Sequence, residues 1–180
     1  MDNYQEIIDR YYIGHNKAKN ILITHGKLVR DKALHISQNK PELNIDEDFV
    51  EEASILHDIG MILTNAQEID CFGTYPYICH GYLGRELLDR ENMEKAALVA
   101  ERHTGTGLSI NEIIKQSLPL PHRDMLPISI EEQLICFADK FFSKNKDLTR
   151  EKSVSKIRKN LLKYGDEHLK KFDNWCELFL

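Results

Sequence analysis

Between Asn16 and Gln38 the apolar residues Ile21, Leu22, Leu28, Val29, Ala33 and Ile36 fall at helical spacing, and His25 stands among them. A stripe that returns every three to four residues suits an α-helix, whereas a strand changes face at every residue. Pro41 stops this helix because it has no amide to continue the ladder. The same periodicity governs most of the chain. It predicts a short first helix over Tyr4 to Tyr12. It predicts another after Asp46, which can cap it with Asp48 in the first turn. Val50, Ala53, Leu56 and His57 share a face of that helix, and Gly60 is placed to end it. Further helices are expected over His80 to Arg90, Met93 to His103, Ile110 to Ser117, Ser129 to Phe142, Ser153 to Tyr164 and Asp166 to Phe179. Two stretches are expected to be irregular: Thr64 to Cys79, and Ser117 to Ser129 with Pro119, Pro121 and Pro127. No segment alternates convincingly, so the expected fold class is all-α, a helical bundle.

A chain of 180 residues suits one domain, and 42% hydrophobic residues can fill its core. No repeat and no Pro/Gly/Ser-rich linker divides it. The expectation is a single domain over 1–180, with a core over about 16–145 and helices over 150–179 packing on it. A net charge of -5 argues against a non-specific nucleic-acid binder, which needs a basic face. It leaves a phosphate substrate open, because a bound cation inverts the local field. No apolar run approaches the roughly 20 residues of a membrane span. Met1 to Glu6 lacks the basic start and apolar stretch of a secretory signal, so a cytoplasmic protein is expected. Cys71, Cys79, Cys136 and Cys176 are scattered without a Cys-x-x-Cys pair and read as reduced thiols.

The chemistry lies in polar residues set among apolar ones. His25, His57 and His80 stand at helix faces or starts that otherwise look core-facing. Asp58 follows His57 directly, and Asp139 closes the apolar stretch Leu134-Ile135-Cys136-Phe137-Ala138. Imidazole and carboxylate are good ligands for a first-row divalent ion. A buried carboxylate is costly unless it is paired or bound to metal. Taken singly, each of these has a plainer reading: a buried histidine is more often a satisfied core residue, and an aspartate near a helix end is usually a cap.

Order and context go further. His25 is followed by Val29 and Ala33 at four-residue steps; Glu52 to Gly60 is an apolar helix ending in His57-Asp58-Ile59-Gly60; and Phe137-Ala138-Asp139-Lys140 carries Ala-Asp. In this order, from about His25 to Lys144, the chain resembles the HD superfamily of metal-dependent phosphohydrolases. The resemblance implies one divalent ion on His25, His57, Asp58 and Asp139. It also implies candidates for a second: His80, which opens a His-x-x-x-Gly helix with Gly84, and His103 at the end of the next helix. Asp58 would bridge the two. One or two ions are expected, with Mn, Fe, Co, Ni or Zn suiting a mixed His/carboxylate set better than Mg. Asp58 and His57 are the expected catalytic residues, acting on a nucleotide or other small phosphoester through a metal-activated water. Rival readings on this fold are a nucleotide- or metal-binding sensor without turnover and a di-iron oxygenase.

The chain also departs from its resemblance. Met61 follows His57-Asp58-Ile59-Gly60 where many relatives have lysine, Thr104 follows His103 where a second histidine is common, and Gly26 stands where serine is common. Gly81-Tyr82 is followed by Leu83, so the Gly-Tyr-Pro signature of the cyclic-dinucleotide phosphodiesterases is absent. Arg85, Arg102, His122, Arg123 and Lys140 lie near the motifs in sequence and are candidates to bind a substrate phosphate. His15, His35 and His168 fall outside the pattern and read as structural or exposed. Phe172, Trp175 and Phe179, at helical spacing, read as core or as a homo-oligomer contact.

Overall fold

The fold is described from a computed structural model of the chain, covering residues 4–144 and 147–180. The helices are α1 (Tyr4–Tyr11), α2 (Asn16–Asn39), α3 (Glu47–Leu56), α4 (His80–Arg90), α5 (Glu94–Arg102), α6 (Ile110–Lys115), α7 (Ile130–Asp139), α8 (Val154–Leu161) and α9 (Asp166–Phe179). The protein is all-α, as its periodicity predicts. Among the described residues no helix is long and apolar enough to cross a membrane.

Local chemistry starts several of these helices. The Phe49 amide donates to the Asp46 carboxylate at the start of α3, and the Glu132 amide donates to the Ser129 hydroxyl at the start of α7. Ser109 and Glu112 cap each other reciprocally at α6. Caps of this kind contribute about 1 kcal/mol each by satisfying amides that have no partner within the helix.

Helix α2 packs on α3 and α7, and α5 packs on α3, α4 and α7. Val29, Ala33, Val50, Ala53, Leu56, Ala97, Ala100, Leu134 and Phe137 are fully buried between them. The last helix, α9, lies on α7. Its Phe172 and Phe179 rings each sit 5.3 Å from the ring of Phe137. The C-terminal aromatic trio is therefore core. A smaller cluster of Cys79, Leu83, Leu108, Ile113, Leu120 and Met125 fills the space beneath the proline-rich segment.

Three local expectations are corrected. Helix α3 ends at Leu56, and Ile59–Leu63 continues as a tight 3-10 turn through Gly60. Gly60 is no helix cap: a Cβ there would stand 2.2 Å from the His80 carbonyl oxygen and 2.3 Å from the Gly84 amide nitrogen. It is glycine so that this turn and α4 can touch backbone to backbone. The second correction is a two-stranded antiparallel ladder, β1 (Asn65–Ala66) with β2 (Cys71–Phe72), inside the segment expected to be irregular. Strands of two residues are too short to show alternation. Third, α7 stops at Asp139 and does not run on to Phe142.

Candidate metal centre

Five of the six residues singled out as ligands stand at or just beyond helix ends: His57 and Asp58 after α3, His80 at the start of α4, His103 after α5, and Asp139 as the last residue of α7. His25 comes from the middle of α2. All six side chains are buried. Gly26, beside His25, lets α2 lie against α3, because a Cβ there would come within 2.8 Å of the Ile55 Cα.

Three of the histidines are oriented by one device. The Nδ1 atoms of His57, His80 and His103 each lie 2.7 Å from a carbonyl oxygen three residues earlier, on Ser54, Tyr77 and Ala100. A carbonyl only accepts, so each Nδ1 carries the proton and donates. The tautomer is thereby fixed and every Nε2 is turned inward.

What the Nε2 atoms meet is Asp58. Its Oδ2 lies 2.9 Å from His57 Nε2 and 3.4 Å from His25 Nε2. Its Oδ1 lies 3.4 Å from His80 Nε2 and 3.3 Å from His103 Nε2. Asp139 Oδ1 completes the first side, at 2.8 Å from His25 Nε2 and 3.6 Å from His57 Nε2. The donor atoms form two sets, each within 4.8 Å: His25, His57, Asp58 and Asp139, then Asp58, His80 and His103. The two oxygens of Asp58 face one set each.

The arrangement fits a cation. His57 Nε2 and both Asp58 oxygens are buried and make no hydrogen bond of good geometry among the described residues, although Asp58 Oδ2 is ion-paired with Lys144 and His57. Burying unsatisfied polar atoms costs about 1–3 kcal/mol apiece. A divalent ion held between His57 Nε2 and the Asp58 oxygens would satisfy them together.

Charge is already partly balanced by protein groups. Lys144 Nζ stands 2.7 Å from Asp58 Oδ2, and Lys140 Nζ stands 2.8 Å from Asp139 Oδ2. Burial opposes the charged form of Asp58, but His57 and Lys144 outweigh it and hold its pKa well below the usual carboxylate range. Burial likewise works against protonation of His57, yet Asp58 and Asp139 push its pKa up to about 9. Burial brings His80 down to about 3, helped by the neighbouring His103, and brings His25 down to about 4, helped by Lys144. Without an ion, then, a protonated His57 and Lys144 neutralise Asp58, and His25 and His80 are neutral. A divalent ion held by these residues would take His57 in its neutral form.

The other candidates part company. Lys140 lines a cavity of about 330 Å³ together with Tyr77, Ile78, His80, His103, Thr104, Asp139 and Lys144. Arg85 and Arg123 both pair with the buried Glu101, and Arg102 grips both oxygens of Glu132 at 2.9 and 3.0 Å. These three arginines tie the helices and the proline-rich segment together. They do not line the cavity, nor does His122, which is exposed. His168 is buried, 2.7 Å from the Thr106 hydroxyl and 2.8 Å from the Glu112 carboxylate. Two contributors were missed. Lys144 sits just past the Ala138-Asp139 motif, and its position there was the available signal. Tyr77 stacks on His80 with ring centroids 4.6 Å apart, and nothing in the sequence pointed to it.

The family model for the HD domain matches residues 22–143. The chain belongs to the HD domain family. In an HD domain, a buried His/Asp cluster of this kind is the constitution of a metal-dependent enzyme. The chain is 31% identical to a protein named tRNA (cytidine(56)-2'-O)-methyltransferase from Thermoplasma volcanium, over 86% of this chain and 41% of that one. It is 30% identical to the protein of the same name from Picrophilus torridus, over 86% of this chain and 52% of that one. It is 35% identical to an uncharacterized protein of Methanocaldococcus jannaschii, over 65% of this chain and 62% of that one. The HD domain chain thus spans about half the length of the named relatives it matches. No solved structure matches it.

Proposed function

We propose that this HD domain is a phosphohydrolase acting on a nucleotide or other small phosphoester. His25, His57, Asp58 and Asp139 would hold one divalent ion, and Asp58, His80 and His103 a second. Mn, Fe, Co, Ni or Zn suit this donor set better than Mg. The observation that carries the reading is the convergence on Asp58 of inward-facing Nε2 atoms, three of them on rings pinned to backbone carbonyls. A site built this way is preorganised for an ion.

An ion held by these residues would supply Lewis acidity, for activating water and for offsetting charge on phosphate oxygens. The protein's own groups do the rest. Asp58, held ionised, accepts a hydrogen bond from the attacking water and orients it. His57 keeps that carboxylate in place. The ammonium groups of Lys140 and Lys144 border the same cavity as His80, His103 and Asp139, where they can bind the non-bridging oxygens of a phosphate. Tyr77 and Ile78 wall that cavity.

The methyltransferase name of two relatives belongs to proteins about twice as long as the shared segment. Convergent imidazoles and carboxylates supply metal ligands, and metal-assisted hydrolysis uses them directly. The test is to purify the protein without chelator, count bound metals by plasma mass spectrometry and assay the same sample on a panel of phosphoesters. Transition ions and phosphatase activity, both lost in His57→Ala and Asp58→Ala, are expected. A chain that holds no metal after reconstitution overturns the reading, and bound iron without phosphatase activity points to an oxygenase.

A further inference from the structure

A second cavity adjoins the first. It measures about 540 Å³ and is lined by Asn16, Lys17, Asn20, Ile21, Thr24, Glu68, Lys144 and Leu148. Lys144 belongs to both cavities, and its ammonium is 2.7 Å from Asp58. The two therefore meet at the lysine beside the metal-binding carboxylate. Volumes of roughly 300–1,000 Å³ are those of small-molecule sites. A phosphate group alone would leave most of this space unfilled.

The lining has a definite chemistry. Asn16, Asn20 and Thr24 follow one another along α2 at four-residue steps, so they lie on one face of the helix, one above the next. The row ends beside His25. Two carboxamides and a hydroxyl offer both donors and acceptors without charge. Ile21 and Leu148 add apolar surface between them. Glu68 stands in the same wall and opposes a further anionic group there. Lys17 lines the same wall, with its ammonium 3.6 Å from Asp70.

We propose that this cleft binds the organic part of the substrate, and that this part is a sugar. A sugar ring presents several hydroxyls along one edge, to match the Asn16, Asn20 and Thr24 row, and C–H faces for Ile21 and Leu148. Its phosphate reaches past Lys144 toward Asp58. The sugar is either free, as in a sugar monophosphate, or part of a nucleoside monophosphate. This inference rests on the phosphohydrolase reading for the identity of the phosphate end.

The test is calorimetric. Inorganic phosphate, ribose 5-phosphate and adenosine 5'-monophosphate are titrated into the full chain carrying its co-purified metal, and into an Asn16→Ala/Asn20→Ala variant. Both asparagines are exposed on a helix, where alanine favours the fold. The native chain is expected to bind at least one of the two sugar phosphates about tenfold or more tightly than inorganic phosphate, the worth of one or two added hydrogen bonds. The variant is expected to bring the two within about twofold. The tighter of the two sugar ligands tells whether the sugar is free or within a nucleotide. Equal binding of phosphate and both sugar phosphates by the native chain overturns the proposal, and so does discrimination that survives in the variant. Hydrolysis of p-nitrophenyl phosphate, followed in parallel, reports on the phosphohydrolase reading alone. Discrimination without hydrolysis upholds the cleft and removes the hydrolase; hydrolysis without discrimination does the reverse.

Discussion

The Nε2 atoms of His80 and His103 face each other 3.0 Å apart, and both lie within 3.4 Å of the same oxygen of Asp58. Each ring already spends its Nδ1 proton on a carbonyl of its own segment. With neutral rings, three acceptors are left converging on one buried point. Repulsion of that kind is relieved by a cation. We therefore expect two ions per chain in the native protein and one in His103→Ala, counted by plasma mass spectrometry. Phosphatase activity in that variant should fall by at least about a hundredfold, since loss of even an outer partner of a metal ligand costs 10- to 100-fold. One ion in the native chain would remove the second site, and two retained in His103→Ala would remove His103 from it.

Lys144 gives a prediction with two opposite signs. Its ammonium neutralises Asp58 and so competes with a metal ion for that carboxylate. Lys144→Met should raise affinity for a divalent ion, read by titration against a competing chelator. The same change should lower kcat/KM for a phosphoester by about tenfold or more, because a charge-assisted hydrogen bond of about 1.5–3 kcal/mol is lost. A variant that weakens metal binding would show that Lys144 serves the site in another way.

Gly60→Ala tests the backbone contact that sets His80. The new methyl group would collide with the His80 carbonyl and the Gly84 amide, neither of which can swing aside as a side chain can. Destabilisation of about 3 kcal/mol is expected, at the upper end for overpacking. It should appear as a lowered Tm together with weaker metal retention. A variant with native stability and native metal content would place the turn and α4 farther apart than described.

The Glu112–His168 pair fastens α9 to the segment that follows His103. Partial burial pushes the Glu112 carboxyl up, but hydrogen bonds from the Ser109 hydroxyl and amide, with His168 nearby, hold its pKa below the ordinary glutamate value. A carboxyl with a lowered pKa stabilises the fold above its unfolded value, about 4.5, and loses that contribution as the pH falls through its folded value. Glu112→Gln keeps an acceptor for the Ser109 amide and removes the charge, so it should cost about 1 kcal/mol at neutral pH, the difference between a charge-assisted and a neutral hydrogen bond. The difference from the native chain should shrink below about pH 4. Urea unfolding of both proteins across this range is the measurement, and a pH-independent difference would sever the charge from the stability.

By itself the sequence determined the helices and most of their bounds, because periodicity and caps are local. Asp166–Phe179 and His80–Arg90 were legible to the residue, for apolar spacing and terminal residues both mark them. His25, His57, His80 and Asp139 could be singled out because each stands among apolar residues, Asp58 because it follows His57, and His103 only through the resemblance. Tertiary structure alone decided which polar residues meet. Arg85, Arg102 and Arg123 stand near the motifs in sequence, but they are drawn to Glu101 and Glu132, since buried carboxylates need partners wherever the fold places them. Gly60 reads as a helix stop, and only the approach of α4 shows that it is a contact between backbones. Tyr77 carries no local mark, and Lys144 has only its place just past the Ala138-Asp139 motif. Their place at the site follows from helix packing, which brings distant positions within a few ångströms and leaves no trace in the spacing along the chain.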